Sequence, residues 1–254
     1  MAADTRAAEL AAACLDVPTV DLHELLAIAE EWWPEDARGP AADAARWILD
    51  RRYATLDTGS YAQPGPVDPE RFEGILATPA SWERRDDGRV FLRPTAAGQA
   101  FAADRDRWPP AYRERHNRWA AAIEAIDPER LAVALAERLA AVAPGRYAVT
   151  AVGPRVSFER GPYGTWCEIE ELLWSFGVGP GTIATAVRIV LETAQSEFTE
   201  ETAWPWPSTA PSYHGQVFPG PETRVTDDAI ELWYGVEEDP ALVLPPIPLA
   251  GLRH

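Results

Sequence analysis

The fold is decided by the stretch GTIATAVRIVLETAQSEFTEETAWPWP, residues 181–207. Apolar residues recur in it at steps of three and four, the spacing of one face of an α-helix: Ile183, Val187, Val190, Leu191, Ala194 and Phe198. Thr182 is a candidate N-cap. The helix must end by Trp204, because Pro205 and Pro207 cannot donate backbone hydrogen bonds. The pattern predicts the longest helix of the C-terminal half, on which neighbouring strands pack.

Alternating apolar and polar residues on both sides of this helix predict strands. They are Tyr147–Val152, Arg155–Glu159 and Thr165–Ile169 before the helix, and Thr223–Thr226, Ala229–Tyr234 and Leu242–Leu244 after it. Residues 170–176 fit either a strand or a helix. The order of elements predicts a two-layer α+β domain, an antiparallel sheet packed on the long helix.

The N-terminal half has mainly helical patterns. Helices are predicted near residues 7–14, 21–33, 41–53, 69–76, 94–103 and 110–126, with Asp21 and Glu24 as a capping box. A further helix restarts at Asp127-Pro128 and ends near residue 143. Residues 57–69 are rich in Gly, Ser and Pro and predict a loop. One β-hairpin is predicted from Trp82–Arg85 and Arg89–Arg93 across Asp86-Asp87-Gly88. We expect two domains, 1–126 mostly helical and 127–254 α+β.

Composition excludes several chemistries. All 23 basic residues are arginine, so there is no lysine for a Schiff base or a P-loop. No GxGxxG follows a predicted strand, so a dinucleotide fold has no support. The net charge of −17 disfavours non-specific binding to nucleic acid or an anionic membrane.

Cys14 and Cys167 are the only cysteines, too few for a disulfide framework or a cysteine-rich zinc site. The chain has no signal-peptide pattern and no apolar run of 18 residues. We therefore expect a cytoplasmic protein with reduced thiols, no metal, no cofactor and no membrane partner.

One segment departs from the acidic average. Between Arg84 and Arg118 there are nine arginines and five acids, and Arg84, Arg85, Arg89 and Arg93 form a candidate basic patch. The patch is either a surface for phosphates or acidic partners, or a set of arginines paired with neighbouring acids.

A second set of candidate binding residues lies at and beyond the end of the long helix. It consists of Glu197, Glu200 and Glu201 on one helix face, followed by Trp204, Trp206, Tyr213 and His214. The tryptophans alternate with prolines, so they form either a recognition platform or a rigid strap packed on the sheet. Acids at a helix C-terminus oppose its dipole, which predicts that a positive group, most simply an arginine, meets them.

No pattern defines a catalytic centre. Cys167 and His214 are the one thiol and imidazole that could pair in this half, although a cysteine alternating into an apolar face is typical of a core. Glu168 and Glu170 could join Glu200 in acid–base chemistry if they converge in a pocket.

Two resemblances to known families follow from these motifs. Residues 69–103, a helix, a hairpin and the phrase RPTAAGQAF, resemble the wing of winged-helix regulators of the multiple-antibiotic-resistance type. That resemblance implies a recognition helix at Pro69–Leu76 and wing arginines at Arg84, Arg85 and Arg89. The hairpin, EETAWPWP and the ending IELWYG…EEDPALVLPPIPL resemble a group of uncharacterised actinobacterial proteins, which implies a fold and no activity.

Three functions remain open from the sequence. The first is a non-catalytic protein that binds a protein partner, for which an immunity or antitoxin-like role suits the acidic charge. The second is a DNA-binding, transcription-associated protein that uses the basic patch. The third is an enzyme with the carboxylates near the long helix.

Overall fold

The computed structural model describes residues 2–16, 19–60, 63–83, 88–175, 177–202, 206–207 and 220–254. It confirms a mixed α+β protein with antiparallel sheets. The chain forms two compact units, an N-terminal unit of Met1–Arg118 and a C-terminal unit of Trp119–His254.

The N-terminal unit combines helices with a small sheet. Its helices are α1 (Ala2–Leu15), α2 (Leu22–Trp32), α3 (Arg38–Asp50), α4 (Phe72–Ala77), α5 (Ala96–Ala103) and α6 (Pro110–Glu124), the last of which continues into the C-terminal unit. Its strands are β1 (Val20–Asp21), β2 (Ala54–Ser60), β3 (Gln63–Pro66) and β4 (Arg89–Pro94). They form an antiparallel sheet in the order β1-β4-β2-β3.

The sheet corrects two sequence predictions. The predicted loop at 57–69 is wrong, because β2 and β3 pair there. The prolines of β3 are typical of a loop, which is why the sequence predicted one there. Proline is nevertheless tolerated on an edge strand, and β3 is at the edge of this sheet. Trp82, expected in the first strand of a hairpin, lies in a 3-10 turn and donates its indole N–H to the Leu76 carbonyl at 2.9 Å. Strand β4 forms as predicted, but its described partners are β1 and β2.

Local capping explains where two helices start. The Asp21 carboxylate accepts from the Glu24 N–H at 2.7 Å and the Glu24 carboxylate accepts from the Asp21 N–H at 2.9 Å, so the predicted capping box of α2 is confirmed. Thr95 caps α5 by accepting from the Gly98 N–H at 3.2 Å.

A buried histidine lies in the same unit. His116 on α6 is 1% exposed, and its Nε2 lies 3.6 Å from the Asp16 carboxylate. Its Nδ1 has no hydrogen-bond partner among the described residues. Burial lowers the pKa of His116, and the positive charge of Arg105 lowers it further by a smaller amount. Both effects disfavour the protonated, positively charged imidazole. The folded chain therefore holds this imidazole neutral.

We expect the N-terminal unit to lose stability as the pH falls from 7.5 to 5.5. Below the unfolded histidine pKa of about 6.5, the unfolded chain binds a proton that folded His116 resists, so the free energy of unfolding decreases. Urea unfolding at both pH values measures this. Burial raises the pKa of Asp16, which contributes with the opposite sign at lower pH, so the comparison stops at pH 5.5.

A His116→Gln variant should lose most of this pH dependence, whereas the control His23→Gln should keep it. An equal pH dependence in the parent and in His116→Gln would show that His116 is not its source.

The C-terminal unit contains two three-stranded sheets. Its helices are α7 (Pro128–Ala140), α8 (Ile169–Ser175) and α9 (Thr182–Thr202), and its strands are β5 (Ala148–Val152), β6 (Arg155–Arg160), β7 (Tyr163–Glu168), β8 (Pro221–Val225), β9 (Ala229–Val236) and β10 (Asp239–Pro248). The sheet orders are β5-β6-β7 and β10-β9-β8. The single sheet expected from sequence is thus two sheets, one of the strands before α8 and α9 and one of the strands after them.

The long helix α9 supplies the centre of this core. Its buried side chains repeat at helical spacing, as predicted: Ile183, Ala186, Val187, Val190, Leu191, Ala194 and Phe198. Two side chains from the β8–β9–β10 sheet donate to carbonyls of the helix, Tyr234 Oη to Leu191 at 3.0 Å and Thr223 Oγ1 to Ala184 at 2.8 Å. These bonds fix the register of the sheet on the helix.

Candidate binding site

The acidic end of α9 is closed by groups from the β5–β6–β7 sheet and the residues before it. Glu201 forms ion pairs with Arg160 at 3.0 Å and Arg146 at 3.5 Å. Glu197 accepts from the Tyr147 hydroxyl at 3.0 Å. Burial, and then the bond to Glu197, raises the pKa of Tyr147 to about 12, so this phenol stays a donor at neutral pH. Arginines of the same chain meet this helix end and offset the unfavourable dipole interaction.

Trp206 is engaged within the C-terminal unit. Its ring lies edge-on to Phe198 and to Tyr234, each with centroids 4.9 Å apart. The backbone N–H of Trp206 donates to Thr199 Oγ1 at 3.2 Å, and its backbone carbonyl accepts from Gln195 Nε2 at 3.0 Å. This geometry matches the strap interpretation rather than an open platform. Trp204, Tyr213 and His214 lie outside the described residues, and Glu200 is exposed.

The candidate basic patch is matched by acids where it is described. Arg89 pairs with Asp21 at 3.4 Å and Arg93 with Asp57 at 2.8 Å. Both carboxylates are nearly buried, so these arginines balance acids of the sheet. Arg84 and Arg85 lie outside the described residues.

The helix that the winged-helix resemblance assigns to DNA recognition, Pro69–Leu76, is also poorly suited to phosphates. Its exposed charged side chains are Glu70 and Glu73 against the single Arg71. Arg46 on α3 is held by Asp43 at 3.0 Å and by Glu73 of α4 at 3.1 Å. Arg38 lies 4.4 Å from the centroid of the Trp82 ring. Much of the positive charge of this unit is therefore used internally.

The candidate catalytic groups are not brought together among the described residues. Glu168 pairs with Arg155 at 3.0 Å across the sheet, and Glu170 is exposed on α8. Cys167 is buried and donates to Thr193 Oγ1 at 3.3 Å, and burial raises its pKa. The described part of the chain contains no group of three or more His, Cys, Asp or Glu side chains that could hold a metal ion.

A pocket that the sequence analysis did not single out lies on the outward face of the β8–β9–β10 sheet. On β9, Ile230, Leu232 and Tyr234 are buried, so the alternating Glu231 and Trp233 point away from the core. Trp233 is flanked by Glu222 of β8 and Val243 of β10 in the strand register. The pocket measures about 330 Å³ and is lined by Arg224, Glu231, Leu232, Trp233, Glu237, Pro240, Val243, Leu244 and Pro246.

The outward face combines apolar and acidic character. Val243, opposite Trp233 in the register, is 63% exposed. Five carboxylates lie on the face or in the adjoining turn against the single cation Arg224, a net charge of −4: Glu222, Glu231, Glu237, Glu238 and Asp239. Arg224 is shared between Glu231 at 2.6 Å and Glu237. The three other carboxylates form no ion pair among the described residues.

The alternation of residues 229–234 was the signal in the sequence for this pocket. It places Glu231 and Trp233 on the face opposite the core, and the acidic turn Glu237–Asp239 follows on the same hairpin. A tryptophan on a predicted outward face is an exception to the usual polar-out pattern of a half-exposed sheet.

A bulge in β10 at Pro245 and Pro246 contributes Pro246 to the lining of this pocket, and Arg138 hydrogen-bonds to the bulge. The register of β10 shifts between Leu244 and Ile247, where Pro245 and Pro246 cannot donate to the ladder. Arg138 of α7 donates to the carbonyls of Pro245 and Pro246, each at 2.7 Å. The same arginine lines a groove of about 540 Å³ between α7 and the C-terminal residues. It therefore connects α7 to the edge strand.

We expect Arg138→Ala to destabilise the C-terminal unit by about 2 kcal/mol, because two charge-assisted hydrogen bonds are lost. The amide hydrogens of Leu242, Val243, Leu244 and Ile247 should show a larger increase in exchange rate than those in the rest of the C-terminal unit. Arg188→Ala is the control, since its ion pair with Glu192 lies along one exposed helix face and should change stability by about 0.5 kcal/mol or less. Equal losses in both variants would contradict the role given to Arg138.

Comparison with known proteins gives no relative: no family model, no curated protein and no solved structure matches this chain. None of the described helices is both long enough and apolar enough to cross a membrane.

Proposed function

We propose that this chain is a non-catalytic binding protein whose C-terminal unit recognises a positively charged protein partner. The observation that carries the proposal is the outward face of the β8–β9–β10 sheet, where a tryptophan-floored pocket lies within a net charge of −4. Aromatic side chains supply contact area in interfaces, and complementary charge speeds encounter and selects partners. The acidic net charge of the chain extends this attraction to long range.

An immunity or antitoxin-like role is one form of this function. A toxin that cuts nucleic acid carries a basic site for phosphates, which an acidic surface can cover. The two buried, unpaired thiols support a reducing compartment, and we propose the cytoplasm as the location.

DNA binding by the N-terminal unit is the competing proposal. Its support is the winged-helix resemblance of residues 69–103. The ion pairs of Arg46, Arg89 and Arg93 weigh against it, because phosphate contacts need free cations. We therefore rank it second.

A fluorescence anisotropy titration tests the choice between them. The probes are a fluorescein-labelled peptide of alternating arginine and glycine, the same peptide with glutamate for arginine, and a labelled 20-base-pair duplex. We expect the arginine peptide to bind at low salt and to weaken about tenfold at high salt, while the other two probes do not bind. Tighter binding of the duplex than of the arginine peptide would overturn the proposal in favour of DNA binding.

A further inference from the structure

We propose that the pocket around Trp233 receives an arginine side chain from the basic partner, and this inference rests on the proposed function. The pocket volume of about 330 Å³ falls in the range of small-ligand sites, about 300–1,000 Å³. It is large enough for one long side chain. Its lining offers an indole, prolines and valine for the aliphatic part, while the exposed carboxylates Glu222, Glu238 and Asp239 next to the pocket offer the charge.

Arg224 shows that the lining suits a guanidinium. Its Cζ lies 5.7 Å from the centroid of the Trp233 ring, while its nitrogens contact Glu231 and Glu237. Guanidinium groups stack on aromatic rings and pair with carboxylates through a planar fork. The face therefore already binds one arginine by the chemistry that we assign to the partner.

The remaining carboxylates favour a second cation. After Arg224 offsets one of the five acids, Glu222, Glu238 and Asp239 are exposed and form no ion pair among the described residues. Glu222 lies opposite Trp233 in the strand register, and Glu238 and Asp239 belong to the turn that leads into β10. An anionic ligand is repelled here. Glu222, Glu238 and Asp239 adjoin the pocket without lining it, so their charge attracts an incoming arginine towards the Trp233 ring.

The indole nitrogen of Trp233 is a further feature of the pocket. Its Nε1 is enclosed and has no acceptor among the described residues. An unsatisfied buried donor is costly and rare in folded proteins. This unsatisfied donor belongs to the ring that the inserted side chain contacts.

The test compares two triple variants that change the net charge equally. Glu222→Gln/Glu238→Gln/Asp239→Asn removes the unpaired carboxylates next to the pocket. The matched control, Glu124→Gln/Glu159→Gln/Glu171→Gln, removes three exposed carboxylates of α6, β6 and α8. The probes are the labelled arginine–glycine peptide and its lysine counterpart, titrated by anisotropy at low salt, with circular dichroism to verify folding.

We expect the pocket variant to weaken binding of the arginine peptide about tenfold and the control variant to weaken it less than twofold. The lysine peptide should bind the parent more weakly than the arginine peptide, because an ammonium lacks the planar fork. Trp233→Phe keeps a ring without the N–H and should weaken binding by a smaller factor than the pocket triple, whereas Trp166→Phe, on an exposed tryptophan of β7, should leave it unchanged.

The two proposals fail in distinguishable ways. Equal weakening by both triple variants means that the peptide senses only the overall charge, which overturns the pocket while the basic-partner proposal survives. Absence of any binding of the arginine peptide to the parent overturns both.

Discussion

Replacing Phe198 with alanine is expected to destabilise the C-terminal unit by about 3–5 kcal/mol. Phe198 on α9 is fully buried, and its ring meets three others: Tyr147 at 5.4 Å, Phe158 at 6.2 Å and Trp206 at 4.9 Å between centroids. These neighbours come from separate segments of the unit, so they cannot all move inward to fill the cavity. Urea unfolding, monitored through the amide exchange of residues 183–198, measures the loss.

Trp166→Ala is the matched control for Phe198→Ala. It removes a larger ring from the same unit, but Trp166 is 61% exposed, so we expect a loss of about 1 kcal/mol or less. If Phe198→Ala also lost only about 1 kcal/mol or less, α9 would not be the element that organises the core.

Gly98→Ala is expected to destabilise the N-terminal unit by about 2–3 kcal/mol. An added Cβ at Gly98 would lie 2.0 Å from the Tyr53 carbonyl oxygen and 2.9 Å from its carbon. Both atoms belong to the backbone, and the same carbonyl accepts from the Thr95 N–H at 2.8 Å. Thr95, the cap of α5, also donates its hydroxyl to the Arg52 carbonyl at 2.7 Å. Because α5 cannot shift away without breaking these bonds, the cost falls on packing. Thermal unfolding monitored by amide exchange in residues 89–103 reports it.

The control Gly74→Ala places the same methyl group in α4, where nothing lies within 4 Å of the new Cβ. Alanine favours a helix over glycine by about 0.5–1 kcal/mol, so this variant should be neutral or slightly more stable. If Gly98→Ala behaved like Gly74→Ala, the close packing of α5 on Tyr53 would be wrong.

The sequence predicted α9 well because its period, its length and its proline stop agree. The buried positions of the helix match the predicted stripe. Strands β8 and β9 were also found, since their alternation is regular and a three-residue connection joins them. The β2–β3 pair was missed, because its glycine and prolines read as loop residues. Only the pairing of β2 with β4, a contact far apart in sequence, shows that it belongs to a sheet.

The site was less predictable than the fold. Charges that seem free in the sequence, such as Arg89 and Arg93, are paired in three dimensions with Asp21 and Asp57. Conversely, Trp233 was treated as part of a strand, and its place in a pocket depends on the bulge at Pro245–Pro246. Pairing and concavity are properties of the folded chain that local patterns do not encode.

The most direct test of a basic partner at this face follows the indole N–H signals of the eleven tryptophans in a ¹⁵N-labelled sample. The arginine–glycine peptide is added stepwise, and the Trp233 signal is assigned from Trp233→Phe. We expect the Trp233 signal to move most and to saturate, while those of the buried Trp82 and the half-buried Trp206 stay in place. Saturating shifts at other tryptophans with an unmoved Trp233 signal, or no shift at all, would contradict the account.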